Sequence, residues 1–284
     1  MKPFSMKLKI TFFDRNVVKK SVKFIAGAST ALSAVLLFVN IPANYKIRAG
    51  IAFLAVLVLI HVVTWVRANR LREISIEIEG SKVNITTGDI FNQKGLKAIA
   101  FNEFMDTQVD DVLISRASLN GTYITSHLNE PVAALDEHIA GFMFDDDEIL
   151  ERDVSRRIGK RTRYRLGTIC VYGDFLLTAF SRFDASNRAN LTMPEYLEFL
   201  INFWDKVNKV YAQRSVSTTI FGSGITRIKG HVTISDEDLL KIMLWTFRIS
   251  EMRFKHPAKL TIVIHEDKVD QINLLGIASV KNGV

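Results

Sequence analysis

The sequence predicts a mixed α/β layered domain behind a helical hairpin that spans a membrane twice, and three observations carry that prediction. From Phe24 to Tyr45, and again from Ala49 to Val66, no side chain is charged, with Lys46 and Arg48 between the two runs. Behind Arg72, short β-branched and aliphatic runs alternate with longer stretches of helical period. The net charge of +7 is also unevenly placed: residues 1–23 carry seven bases and one acid, whereas residues 73–284 carry 25 bases and 29 acids.

A bilayer core requires roughly 20 apolar residues per helical crossing. The first uncharged run has 22 and the second 18, and Arg48 and Arg67 can snorkel to lengthen the second. With a turn at Ile41 to Ala49, residues 24–66 read as a transmembrane hairpin whose two ends share one side. Basic residues crowd both flanks, in the N-terminal segment 1–23 and at Arg67, Arg70 and Arg72, while the turn has two. The positive-inside rule then places both ends in the cytoplasm. A cleaved signal peptide is the competing reading, but the first run exceeds the usual apolar body and a second follows at once. Two core helices of a soluble domain would need a polar face, which a run of this length lacks. Small residues at Gly27, Ala28, Ala31, Ser33 and Ala34 allow close helix approach. His61, inside the second run, is expected to be neutral and hydrogen-bonded within the hairpin.

Residues 67–75 form a linker, and 76–284 are enough for one domain with a continuous core. Because that domain is acidic overall, the basicity belongs to the membrane flanks and meets anionic lipid. A nucleic-acid partner is not expected. Cys170 is the single cysteine and the six histidines show no ligand spacing, so neither a disulfide framework nor a metal site is expected.

Alternation at Ile74, Ile76 and Ile78 marks a strand, followed by a turn at Glu79-Gly80-Ser81 and a second strand at Lys82–Thr86 that breaks at Gly88-Asp89-Ile90. Leu96–Phe101 is a third strand, running into Asn102-Glu103-Phe104-Met105-Asp106, and Val132–Phe142 reads as helix. Acids at 145–148 followed by bases from Arg152 to Arg165 complement a helix dipole, and a solvated helix or loop is the plainest reading of that run. A metal site from its acids, or a lipid or phosphate site from its bases, stays open as an alternative. Gly173-Asp174 signals a hairpin between Arg165–Tyr172 and Phe175–Phe180. Pro194–Tyr211 is a helix with Thr192 as N-cap and a stripe of Leu197, Leu200, Ile201, Trp204, Val207 and Val210. Ser215–Ile220 is a strand leading into Phe221-Gly222-Ser223-Gly224-Ile225, Ser235 caps a deeply buried helix from Asp236 to about Phe254, and Leu260–Ile264 is the last strand.

In open α/β sheets ligands sit beyond the strand ends. Glycines there let backbone N–H groups converge on an anion such as a diphosphate. The two glycine corners, Gly88-Asp89-Ile90 and Gly222-Ser223-Gly224-Ile225-Thr226, are therefore the candidate site, with Asn102 at a third strand end.

In that order these motifs resemble the macrodomain family, a mixed sheet flanked by helices that binds ADP-ribose and its derivatives. The resemblance implies that Asp89 contacts the adenine amine, that Asn102 approaches the distal ribose, and that Gly222 to Thr226 wrap the diphosphate. One asparagine stands where the family has an Asn-Ala-Ala-Asn run, and TQVDDVLISRASLNG (107–121) replaces its following glycines. Together with the anchor, the pattern is similar to the transmembrane–macro form of the ThsA family, effectors of Thoeris antiphage defence. That likeness implies a signal-binding effector rather than an enzyme, with no cofactor, in the bacterial inner membrane and working as a homo-oligomer. Its ligand would be an ADP-ribose conjugate such as histidine-ADP-ribose, made by a TIR-domain partner. Glu103, Asp106, Asp110 and Asp111 would suit the conjugate's amine or imidazole. A membrane-tethered ADP-ribosyl hydrolase using Asp106, Asp110 or Asp111 as base is the alternative, and a structural membrane protein a third.

Overall fold

The computed structural model describes residues 8–184, 188–224, 227–229 and 234–279. It opens with two antiparallel helices, α1 (Arg15–Leu36) and α2 (Lys46–Asn69), joined through a 3-10 turn at Ala43–Tyr45. The Asp14 carboxylate caps α1 by accepting from the Asn16 and Val17 N–H groups, so the helix starts well before the uncharged run. It ends at Leu36, a few residues ahead of the turn expected from Ile41, and Pro42, which disfavours helical backbone at Ile41 and has no N–H to donate, bars the helix from running on. The uncharged part of α1, Phe24–Leu36, spans about 20 Å at the helical rise per residue. Among the described residues one segment, Ala43–Asn69, is long and apolar enough to cross a bilayer. The side chains of Phe24, Leu37, Phe38, Ile47, Ile51 and Leu54 on this pair are all exposed.

Residues 8–14 strap across the base of the pair. Asn69 is buried there; its side-chain oxygen accepts from the Lys9 and Ile10 N–H groups, and its amide donates to the Ile10 and Trp65 carbonyls. Trp65 donates to the Ile10 carbonyl as well. His61 is hydrogen-bonded as expected, but its partners come from the N-terminal segment rather than from residues 24–66: Ser21 Oγ at 2.9 Å and the Phe12 carbonyl at 3.0 Å.

Behind the pair lie strands β1 (Glu73–Ile78), β2 (Ser81–Thr87) and β3 (Leu96–Asn102), then helices α3 (Leu119–Thr122) and α4 (Val132–Gly141). Strands β4 (Ile149–Glu151) and β5 (Arg163–Tyr164) form a separate ribbon, followed by β6 (Ile169–Tyr172), β7 (Phe175–Phe183) and β8 (Ala189–Thr192). The chain continues through α5 (Met193–Val210), β9 (Val216–Thr219), β10 (Arg227–Lys229), α6 (Asp236–Ile249), β11 (Leu260–Ile264) and α7 (Leu274–Ser279). The sheet order is β1-β2-β11-β9-β3-β7-β8-β10, with β6 on β7. From β2 to β7 the pairing is parallel, whereas β1–β2, β6–β7 and β7–β8 are antiparallel. Parallel strands need cover on both faces. Ala98, Leu176 and Ile262 pack to one side under α5 and α6, and Ile99, Leu177 and Val263 to the other with Tyr123, Leu135 and Ile139.

Three expectations change here. The helix α5 buries Tyr196, Phe199 and Phe203 beside Leu200, Trp204 and Val207, while Ile201 is exposed, because its aromatics win the core face. Helix α6 ends at Ile249 and leaves Trp245 and Ile249 exposed, so it is buried on one side only. The 145–165 charge run, expected as a solvated helix or loop, holds no α-helix: it is a 3-10 turn at Asp146–Glu148, the short strands β4 and β5, and the loop that joins them. Its acids find cross-chain bases: Glu148 pairs with Lys206 at 2.7 Å and Asp147 with Arg165 at 2.8 Å.

Candidate functional site

A cleft of about 700 Å³ opens beyond the ends of β3, β7 and β9. Its walls are the β9 exit, Thr219 to Gly222 with Gly224, and the loop running from Asp111 to Asn120; Asn102 lies at the floor. Phe183, Arg188 and Asn190 close the far side. Gly222 sits at φ +83°, a left-handed backbone that favours glycine. From below, the Tyr196 hydroxyl donates to the Phe221 carbonyl at 2.9 Å; from the side, Lys268 Nζ donates to the Ser223 carbonyl and, at 2.7 Å, to its hydroxyl. Ile225 and Thr226 lie outside the described residues.

The Gly88-Asp89-Ile90 corner stands at the end of β2, with β11 between it and β9, and is not part of the cleft wall. The Gly88 N–H donates to the Ile264 carbonyl at 3.0 Å. Exposed Asp89 caps a 3-10 turn by accepting from the Phe91 N–H at 2.9 Å, and Ile90 is buried. The Phe91 ring stacks on His127 at 3.8 Å, fastening this corner to the helical turn at Tyr123–His127.

The β3 exit is a buried polar knot. Asn102 Oδ1 accepts from the Phe104 and Asp106 N–H groups, and its amide donates to Asp106 at 2.9 Å. Asp106 is 1% exposed and receives both Arg156 amino groups and the Lys160 N–H at 2.6 Å. Glu103 accepts from Arg182 at 3.0 Å and from the Phe183 N–H. Arg182 also meets Glu195 at 2.6 Å. Burial by itself works against the charge on both of these groups. The two carboxylates nevertheless raise Arg182 above its ordinary pKa, and hydrogen bonds from Thr192 and Arg182 lower Glu195 below its own.

Asp110 caps its own loop, and the Leu113 N–H is the main cause holding its carboxyl below the usual range. Asp111 has φ +62° and pairs with Arg116 at 3.6 Å. Of the four acids singled out at this end, Asp111 is the one that lines the cleft. The polar wall of Ser115, Ser118 and Asn120 escaped sequence reasoning, though the Ser- and Asn-rich stretch 115–121 was a signal for it. Arg188 and Asn190 arrive through β8, a strand without a sequence signature.

Among the described residues no three His, Cys, Asp or Glu side chains cluster to hold a metal. Burial pushes the Cys170 thiol up to about 12, leaving it a core residue.

Residues 83–265 match the family model described as "Thoeris protein ThsA, Macro domain". The chain is 36% identical to Thoeris protein ThsA of Bacillus amyloliquefaciens (strain Y2), over 99% of this chain and 95% of that one. Solved structures similar to it include the Oceanobacillus iheyensis macrodomain with MES bound, at 14% identity and a TM-score of 0.42, covering 70% of this chain and 90% of that one. The same macrodomain with ADP gives 14% and 0.38, covering 70% and 90%. With a family match over its sheet and cleft and a relative aligned along nearly its whole length, the chain belongs to the ThsA family of Thoeris proteins, whose macro domain it carries.

Proposed function

We propose that the protein is a two-pass effector of the bacterial inner membrane whose cytoplasmic macro domain binds an ADP-ribose-derived signal and then disrupts the bilayer, ending growth. The observation that carries this reading is the 700 Å³ cleft at the strand ends, walled by a glycine loop, on a domain joined to an apolar helix pair. Its size suits a ligand of nucleotide dimensions. Gly222 and Gly224 offer backbone approach to a diphosphate, and Asp111, Ser115, Ser118 and Asn120 supply polar groups for the remainder. The signal would be a conjugate such as histidine-ADP-ribose, made by a TIR-domain partner. Asp89, outside the cleft wall, would meet an adenine that extends past β11. The exposed apolar side chains on α2 and on the Phe24–Leu36 part of α1 support the two-pass arrangement. Assembly into a homo-oligomer would follow where the ligand binds the assembled state more tightly.

Receptor is favoured over hydrolase by the carboxylate partners. Asp106 is held by Arg156 and Lys160, Asp110 is spent on its own loop, and Asp111, the one candidate base in the cleft, accepts from the Arg116 N–H at 2.8 Å and faces the Arg116 guanidinium at 3.6 Å. Titration of ADP-ribose and histidine-ADP-ribose into the detergent-solubilised chain tests the reading. Saturable binding without turnover is expected; no binding of either compound removes the receptor, and release of free ADP-ribose replaces it with the hydrolase.

A further inference from the structure

Three consecutive residues touch both functional ends of the molecule. Lys268 holds the Ser223 carbonyl and hydroxyl in the glycine loop and pairs with Asp236, the first residue of α6, at 3.2 Å. Val269 is fully buried, and its carbonyl accepts from Lys9 Nζ at 3.3 Å. Asp270 pairs with Arg72 at 3.0 Å. Lys9 ties this turn to the base of the helix pair, where its N–H donates to Asn69 and its ammonium to the Leu71 carbonyl; Arg72 lies on the connection from α2 to the sheet, directly before β1, with its carbonyl accepting from the Thr87 N–H at 3.0 Å. A few residues on, Leu275 of α7 packs with Ile10, Val17 and Ala68 in the small cluster under the helices.

This connection is short and stiff. Residues 269–271 are one 3-10 turn, so a shift of Lys268 cannot be absorbed by slack chain before Val269 and Asp270. The Lys268 ammonium is also contestable. Its acceptors are a neutral carbonyl, a hydroxyl and one carboxylate, and a diphosphate seated on the adjoining glycine loop is a competing, more highly charged acceptor.

We infer that Lys268 is the positioning residue that shapes the Gly222–Gly224 loop for an anionic ligand, and that the Lys268–Val269–Asp270 turn carries loop occupancy to the membrane helices through Lys9 and Arg72. The inference rests on the nucleotide-receptor reading and names the part that couples its two halves.

The test uses the full chain in phosphatidylethanolamine–phosphatidylglycerol vesicles loaded with dye, with ADP-ribose as probe. Lys268→Ala is expected to weaken ADP-ribose binding about tenfold, and Lys268→Arg to recover most of it, as for a lost and restored charge-assisted contact. Asp270→Ala is expected still to saturate with ADP-ribose yet to release about tenfold less dye when saturated, the mark of a lost coupling between loop and helices. Parental affinity in Lys268→Ala overturns the positioning role, and parental dye release in Asp270→Ala overturns the link. Absence of binding in the parent chain sinks the receptor reading instead. In that case amide exchange at Ser223 and Gly224 decides on Lys268 alone: faster exchange in Lys268→Ala upholds its hold on the loop, and unchanged exchange removes it.

Discussion

Asp106 and Asp111 lie five residues apart and have opposite physical roles. Asp106 neutralises a guanidinium that is itself only 9% exposed, so Asp106→Ala strands a buried charge and frees two further donors, the Asn102 amide and the Lys160 N–H. Denaturant unfolding should show a loss of about 3–5 kcal/mol, the usual effect of breaking a buried pair from one side. Asp111 faces water and the cleft. Asp111→Ala, at a positive φ and without the Arg116 N–H acceptor, should cost about 1 kcal/mol, well below Asp106→Ala, while weakening ligand binding. Glu195 sets a pH dependence whose sign follows from its lowered pKa. The stability it contributes is fully present above its ordinary value of 4.5 and is lost as pH falls through the lower folded-state value. Unfolding midpoints compared at neutral pH and below pH 4.5 should therefore fall more steeply in the parent chain than in Glu195→Gln.

At the scale of elements, the strap and the cleft wall are the most exposed to single changes. Asn69 satisfies two strap N–H groups at the base of α2, and Asn69→Ala leaves both without that acceptor in a buried setting. A loss of about 2 kcal/mol and faster proteolysis within residues 8–14 are expected. Gly121, at the end of the cleft wall, has no room for a methyl: a Cβ there would stand 2.1 Å from the Ser115 carbonyl oxygen. Gly121→Ala should push the wall outward and reduce ADP-ribose affinity in calorimetric titration more than it reduces stability. The β-elements were legible because the strands of the sheet's centre read as short apolar runs bounded by breaks, as at Leu96–Phe101 and Leu260–Ile264. The β4–β5 ribbon was not, because its charged side chains pair across the two strands, Glu151 with Arg163, rather than along a helix. The turn between the two helices was legible to within a few residues: uncharged composition and Pro42 place it from Ile41 to Ala49, and the helices end at Leu36 and resume at Lys46.

At the scale of the whole molecule, the charge division separates an apolar helix pair from an acidic domain, and Lys9 of the strap touches both. The full chain should partition into the detergent phase on Triton X-114 extraction, and recovery in the aqueous phase would remove the membrane reading. Composition alone determined that division, since charge-free runs near bilayer length and a net acidic remainder need no contacts to be seen. It also determined the strand–helix alternation and the glycine corners, because turns and periodicity are local properties of the chain. Only the tertiary structure decided which chemistry converges. Sheet order put the β9 loop beside the 111–120 wall and left the Gly88-Asp89-Ile90 corner two strands away. Burial turned Asn102, Glu103 and Asp106 into a closed knot of mutual hydrogen bonds and ion pairs, because a carboxylate taken out of water must find a base, and which base is within reach is set by residues 50 or more positions along the chain.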